Sequence, residues 1–492
     1  MLVHEMLETN AREVPGKTAM ISETGRMTYA EFEGRANRIA NLLLSQGVKK
    51  GDSIAILLPP TMDWLVAYFA AVKTGGKAVV LNAMLKPAEF IGQLADSRSA
   101  ALITESRFAA AAQLAPAGAI PSRMLVIDSP ELETLLSGQP DTPPSVHIQP
   151  DDECTIIYTS GVLGLQKGVV HTHRSLMSVL EIAAVKIDDN RDDVLFGMIP
   201  FFHVLGLVVA FGAFFPGATL VLPRRFNPRA ILETVAAEKV TNLIGVPAMF
   251  MALAGIPDEV IHSFDFTPLR RILTAGAKSL PQAMQAFETK YNLVVTEIYG
   301  TTECPIIAMG GMTDRKLGTA GQPVLEFKVI GEDGQALGPG EVGEAVCRGD
   351  NVMKGYYNEP ELTSMVLKDG WFYTGDLVSQ DEDGYVTYVE KKSFLIVTSA
   401  GTKIAPTELE YVVLTHPAVA EAAYVGVKDA SGSQTPTLFV VLKPEQEVSK
   451  PDLRAFCANA VAAYKLPQRI EFMEELPKIA SGKIDRKTLM GN

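Results

Sequence analysis

Cysteine is scarce in this chain, and the four that occur, at positions 154, 304, 347 and 457, form no CxxC pair and no Cys/His cluster. Neither a disulfide framework nor a structural zinc site is indicated, and buried, reduced thiols are expected. Basic charge is also short. Forty-four Lys and Arg against 57 Asp and Glu leave a formal charge of −13, so a surface for sequence-independent nucleic-acid binding is not expected. Long apolar runs are missing: the longest, such as Leu205–Phe215, fall short of a bilayer span and contain glycine, so no transmembrane segment is expected. The opening MLVHEMLETNAREVPGK has acids where a signal peptide needs a basic start, and the closing LMGN is not a peroxisomal tripeptide. The expected location is cytoplasmic. There is no internal repeat at solenoid periods.

What is present is a globular composition, 47% hydrophobic and 21% charged over 492 residues, enough for more than one structural unit. From Ser53 the pattern alternates. Strands are expected at Ser53–Leu58, Lys77–Leu81 and Ala100–Thr104, with helices at Met62–Val72 and Pro87–Leu94 between them. A second series of the same kind runs from Arg191 to Tyr299. Strands separated by helical runs imply parallel sheets covered on both faces, an α/β fold with two βα-layered sheets. After Gly310 short strand candidates joined by Gly/Asp/Pro turns imply an antiparallel, β-barrel-like subdomain. Past Lys392 a tail of about a hundred residues reads as α+β, with a strand at Phe394–Val397 and a helix from Pro406.

The most informative stretch is Thr155–Arg174, TIIYTSGVLGLQKGVVHTHR. A β-branched strand runs into a loop punctuated by Ser160, Gly161, Gly164 and Gly168, with Lys167 inside it, and an apolar helical pattern follows from Ser175, a suitable N-cap. Strand, glycine loop with a lysine, then helix is an arrangement that wraps backbone N–H groups and one ammonium around phosphate oxygens. It is not a Walker loop, since position 166 is Gln and position 168 is Gly where GxxxxGK[ST] needs Gly and Ser or Thr.

Downstream stand YGTTE at Tyr299–Glu303, GWFYTGD at Gly370–Asp376 and PKIASGKIDR at Pro477–Arg486. In this order and spacing the four motifs resemble the adenylate-forming superfamily of acyl-CoA synthetases, aryl-CoA ligases, luciferases and non-ribosomal peptide adenylation domains, from about Tyr29 to Lys487. The resemblance implies ATP, Mg²⁺ and coenzyme A as partners of a small carboxylic acid. It divides the chain into an adenylating domain, 1–391, and a small mobile α+β domain, 392–492, with a hinge in Lys391–Phe394. It places Thr159, Ser160, Gly161, Gly164 and Lys167 on the phosphates, and Gly276 and Ala277 of TAGAKSL along the adenine and acyl pocket. Tyr299 would stack on adenine with Gly300 and Thr301 beside it, Thr302 would bond the α-phosphate, and Glu303 would hold the metal. Asp376 would accept the ribose hydroxyls, Lys392 would stand at the family's ribose-binding arginine, and Gly401 would line the CoA tunnel. His203, in PFFHVLG, would sit at the mouth between the acyl and pantetheine channels, and Lys483 would be the mobile lysine that reaches the carboxylate and α-phosphate.

The chain departs from the family in two places. Its phosphate loop has Val162, Leu163 and Gln166 where TSGTTGxPKG has Thr, Thr and Pro, and its hinge has Lys392 for Arg and Phe394 for the pivot acid. The reading is an AMP-forming acyl- or aryl-CoA ligase. Transfer to a carrier-protein pantetheine, and a non-catalytic protein that holds nucleotide or acyl-CoA, stand as alternatives; a homodimer is left open.

Overall fold

The computed structural model describes residues 1–85, 87–112, 120–160, 166–222, 227–279, 281–311, 314–397, 403–428, 434–479 and 483–491. The chain divides into two compact units, one of Met1–Phe327, Cys347–Tyr373 and Gly384–Val386, the other of Lys328–Val346, Thr374–Asp383 and Thr387–Asn492.

The first unit holds two sheets. One has seven strands, in the order Gly355–Tyr356, Gln166–Thr172, Glu153–Ser160, Lys77–Val80, Ser53–Leu57, Ala101–Thr104 and Arg123–Val126. From Glu153–Ser160 outward to Arg123–Val126 its pairs are parallel, as the alternation of strands and helices requires. The other has nine strands, with Val295–Tyr299, Arg271–Thr274, Asn242–Gly245, Val194–Gly197 and Thr219–Leu222 as its parallel middle. The hairpin Thr18–Ser22/Gly25–Thr28 closes one edge of that sheet.

The helices are placed by capping and by apolar spacing. Thr28 and Glu31 form a capping box that starts the helix Tyr29–Ser45, and Phe32, Ala36, Ile39, Ala40 and Leu43 bury one face of it. The helix Met62–Lys73 is buried nearly all round. Its Trp64 stacks on Tyr68, and Tyr68 and Phe69 meet Phe211 of the helix Val204–Phe214. The Tyr68 hydroxyl lies 2.5 Å from Thr155 Oγ1, tying this aromatic cluster to the strand that leads into the phosphate loop. Truncating one of these rings to alanine would cost about 3–5 kcal/mol.

The stretch expected to be barrel-like forms a five-stranded sheet ordered Glu326–Ile330, Val342–Arg348, Trp371–Gln380 and Leu367–Lys368, with Val386–Lys391 also paired to Trp371–Gln380. The second unit has its own core. Strands Val419–Lys428, Gln434–Leu442 and Arg469–Phe472 form a sheet, and Tyr424, Leu438 and Val440 pack with Leu409, Val413, Leu453 and Cys457 of two helices. The strand expected at Phe394–Val397 is shorter. Lys392–Phe394 makes a single 3₁₀ turn and only Ile396–Val397 pairs, against Lys403–Ile404. The Phe394 ring instead lies against the Arg486 guanidinium, 5.6 Å from its centre.

Candidate active site

The expected phosphate loop falls between two paired strands. Glu153–Ser160 and Gln166–Thr172 are antiparallel, with Thr159 opposite Lys167, so a second strand stands between the loop and the helix expected directly after it. The helix begins at His173 and is capped by Thr172. Ser175, expected as the cap, is the third residue of the capping box and returns a bond to the Thr172 N–H. The β-branched Val169, Val170 and Thr172 suit a strand, and the segment finds partners in Glu153–Ser160 and Gly355–Tyr356. Gly161 and Gly164, with Val162 and Leu163, lie outside the described residues.

Lys167 projects from the far strand of this hairpin, its Nζ 4.8 Å from the centre of the Tyr356 ring. The Tyr356 hydroxyl donates to Glu303 Oε1 at 2.8 Å. Burial, then the Glu303 charge, pushes the Tyr356 phenol up from its ordinary value, so it remains a donor. One ring therefore carries the loop cation on its face and the carboxylate of YGTTE on its edge.

The YGTTE turn is held from several sides. Tyr299 ends the strand Val295–Tyr299 and is buried. Gly300 is required, because a Cβ there would run into the Pro305 carbonyl. The Thr301 N–H donates to the Cys304 carbonyl, and the Met353 N–H donates to the Glu303 carbonyl. His171, fully buried, donates from Nε2 to the Thr302 carbonyl at 2.8 Å while Nδ1 faces the Ser175 hydroxyl at 3.1 Å. Loss of hydration pulls the His171 ring down to about 4, against the opposing pull of the Thr302 bond and Glu303. A neutral imidazole thus fixes the turn that presents Thr302 and Glu303. His171 and Tyr356 escaped the sequence reading, although His171 lies inside the stretch it singled out.

Gly276 follows the strand Arg271–Thr274 with φ +82°, a left-handed conformation glycine adopts freely. It is exposed, as is Ala277, and a side chain at Gly276 would meet only Leu205 and Val246 at van der Waals distance. The Thr274 hydroxyl beside this loop is buried without a hydrogen-bond partner among the described residues. His203 stands at the N-cap position of Val204–Phe214, its ring 4.6 Å from that of Phe202.

The second unit carries the other expected residues. Along Trp371–Gln380, Phe372, Thr374, Asp376 and Val378 share the buried face. A carboxylate there needs a partner, and Lys391 Nζ lies 3.0 Å from Asp376 Oδ1. Lys392, the residue expected at the ribose, pairs with Glu344 at 2.9 Å, and Glu344 also accepts the Gly375 N–H. The Lys483 carbonyl accepts the Ile479 N–H, and the Asp485 N–H donates to the Pro477 carbonyl. The Lys483 side chain keeps open surface, yet neighbouring atoms strip enough water from the ammonium to pull its pKa down. Lys391 adds to that downward pull and Asp376 opposes it. Arg486, three residues on, bonds Glu410 at 2.6 Å and the Tyr424 carbonyl, anchoring the Lys483 segment to the sheet. Gly401 lies outside the described residues.

The AMP-binding enzyme family model matches residues 7–357, and the AMP-binding enzyme C-terminal domain model matches 408–483. A feruloyl-CoA synthase of Amycolatopsis sp is 34% identical over 480 residues, 96% of this chain and 95% of that protein. The crystal structure of the anthranilate CoA ligase AuaEII in complex with anthranoyl-AMP matches at TM-score 0.91 and 27% identity, covering 100% of this chain and 97% of that one. The O-succinylbenzoate coenzyme A synthetase of Bacillus subtilis, in complex with ATP and magnesium ion, matches at 0.88 and 30% identity over 98% of each chain.

Proposed function

The chain belongs to the AMP-binding enzyme family, and on that premise we propose how its residues carry out the work of an AMP-forming acid–CoA ligase. The reaction has two steps. A carboxylic acid and ATP give acyl-AMP and pyrophosphate, and CoA thiolate then takes the acyl group, releasing AMP. Phe, Leu, Val and Met dominate Pro200–Phe215 and Val246–Met251, which favours an apolar acid, fatty or aryl. Passage of the acyl group to a carrier-protein pantetheine has no observation in its favour.

Two anions must approach in the first step, so the protein's task is to place positive charge and donors where negative charge gathers. Lys167 and the backbone of Thr159 and Ser160 serve the phosphates at the hairpin, with Gly161 and Gly164. Thr302 donates to the α-phosphate. Glu303 would hold Mg²⁺: it is a hard oxygen donor, partly exposed, and Tyr356 fixes one of its oxygens. That ion, when bound, supplies charge neutralisation to the phosphates. Tyr299, Gly300, Thr301, Gly276 and Ala277 form the adenine side, Asp376 accepts the ribose hydroxyls, and His203 borders the acid. Lys483 brings its ammonium to the reacting carboxylate. Residues 1–391 form the adenylating part and 392–492 the mobile part, whose rotation about Lys391–Phe394 exchanges Lys483 for the Gly401 loop before thiol attack.

The observation that carries this assignment is the bridge by Tyr356 between Lys167 and Glu303, which joins the loop cation to the metal carboxylate. Pyrophosphate release over a panel of fatty and aryl acids, with products analysed after adding CoA or a pantetheinylated carrier protein, tests it. No acid-dependent pyrophosphate would overturn the ligase reading, and an acyl-carrier product without acyl-CoA would overturn the choice of acceptor.

A further inference from the structure

The paired strands that frame the expected phosphate loop have two faces, since successive residues of a strand point to opposite sides. Thr159 and Lys167, opposite each other, lie on one face, with the Lys167 ammonium over the Tyr356 ring. Tyr158 and Gly168, the next pair, lie on the other. Gly168 leaves room there: a Cβ would stand 3.0 Å from an Ile156 methyl, 3.1 Å from Tyr357 Cβ and 3.5 Å from the Tyr158 ring. The helix Pro87–Ser97 backs this face, its Phe90 and Leu94 clustering with Ile156, Tyr158 and Tyr357. The end of that helix accepts a hydrogen bond from each ring. The Tyr158 hydroxyl donates to Asp96 Oδ2 at 2.6 Å, and the Tyr357 hydroxyl donates to the Ser97 carbonyl at 3.1 Å. Burial, and then the Asp96 bond, push the Tyr158 phenol up from its ordinary value, so it remains a donor. Of the adjacent Tyr356 and Tyr357, one phenol thus turns to Glu303 and the other to the helix behind the sheet.

We propose that Asp96 is a positioning residue for the ATP phosphates: through Tyr158 it fixes the strand Glu153–Ser160, and with it Thr159, Ser160 and the Lys167 cation opposite. The inference rests on the reading of these strands as the phosphate site. Asp96 is exposed on the back of the sheet and acts through the ring it holds. A tyrosine side chain has only two rotatable angles, so holding its hydroxyl fixes the strand against the helix. The bond is short and its acceptor is charged, the stronger kind of hydrogen bond. Tyr158 stands two residues before Ser160, about 7 Å along an extended strand, so a shift at the ring is carried to the loop. Misplacing a positioning group by about 1 Å can cost up to about a hundredfold.

The test compares ATP with AMP, because only ATP carries the β- and γ-phosphates that the loop would hold. Each nucleotide is titrated calorimetrically into the full chain and its variants, with melting temperatures alongside. Asp96→Ala, and Tyr158→Phe, which keeps the ring over Gly168, are each expected to weaken ATP about fivefold and AMP by less than about twofold. Asp96→Asn, which keeps an acceptor for the phenol, should recover most of the loss; an Asn variant no better than Asp96→Ala overturns the proposal. Made together, Asp96→Ala and Tyr158→Phe should cost no more than either alone, since they break one bond, and losses that multiply overturn it too. Should Asp96→Ala fail to fold, Tyr158→Phe carries the test. If either single variant melts earlier but keeps the parental ratio of ATP to AMP affinity, the bond serves only the fold and the proposal is overturned. Lys167→Met separates the two layers: a ratio unmoved by that change sinks the phosphate reading and this inference with it. A ratio that moves in Lys167→Met but not in Asp96→Ala sinks this inference alone.

Discussion

The Tyr356 hydroxyl donates to Glu303 Oε1 at 2.8 Å, and that bond gives the carboxylate, the proposed metal ligand, a defined direction. Removing it with Tyr356→Phe leaves the ring under Lys167 and takes away one hydrogen bond to a charged group, about 1.5 kcal/mol or more. The Mg²⁺ concentration for half-maximal adenylation is expected to rise roughly tenfold. Glu303→Gln, which loses the ligand charge itself, should raise it further. A magnesium titration of pyrophosphate release checks both, and an unshifted midpoint in either variant would reduce that residue to packing.

Lys483 is expected to matter in one half-reaction only. Lys483→Ala should abolish acyl-AMP formation and spare thioester formation from preformed acyl-AMP, because the ammonium is proposed to serve only the first step. The pH dependence follows from its neighbours. Its pKa is pulled down by lost hydration and by Lys391, so the alkaline limb of adenylation should lie below that of an ordinary lysine. Removing the Lys391 charge should move the limb up, and removing the Asp376 charge should move it down. Rate–pH profiles of the adenylation step in both variants decide; a limb that moves the opposite way would contradict the arrangement.

Val162 and Leu163 replace hydroxyls that would touch the β- and γ-phosphates in the family's loop. Restoring both as Thr is expected to improve the ATP half-reaction by about 2 kcal/mol, roughly thirtyfold in rate or ATP affinity. The thiol half-reaction from synthetic acyl-AMP should not change, since those phosphates have left by then. If the two side chains pack against an apolar neighbour instead, the double variant will melt earlier and gain nothing in turnover.

Acid should unfold the protein through histidines it buries neutral. Lost hydration pulls His171 down to about 4 and His4 and His173 to about 3, with Lys73 adding to the effect on His4 and His4 to that on His173. The unfolded chain therefore takes up these protons first. The stability they protect is complete above pH ~6.5 and falls as pH drops toward those lower values, by up to roughly 1.4 kcal/mol per pH unit for each. His171→Asn should be less stable at pH 8 but show a shallower acid slope, by about one proton. Denaturant unfolding between pH 8 and 4.5 measures it, and an unchanged slope would mean that His171 does not titrate in this range.

The elements most legible from sequence were those whose pattern is set by neighbours along the chain. Ser53–Leu57, Lys77–Val80 and Ala101–Thr104 are short apolar runs between helices, and each forms a parallel strand within a residue or so of its expected place. The motifs that carry the chemistry also announce themselves locally, because a turn such as Gly300 before Thr302 and Glu303 tolerates few residues. Less legible was Gln166–Thr172, read as part of the loop that leads to a helix from Ser175. Its strand character depends on Glu153–Ser160 and on Gly355–Tyr356, almost 190 residues away.

By itself the sequence determined the α/β alternation, the family and the residue types proposed to meet phosphate, metal and ribose, since those follow from hydrophobic period and from motifs a few residues long. Tertiary structure alone decided who steadies them. That His171 holds the Thr302 carbonyl, that Tyr356 turns Glu303, and that Lys391 takes Asp376 while Lys392 takes Glu344 are contacts between distant segments. A buried carboxylate or imidazole must find a partner in space, and no local spacing rule says which of two adjacent lysines the end of a strand will turn toward it.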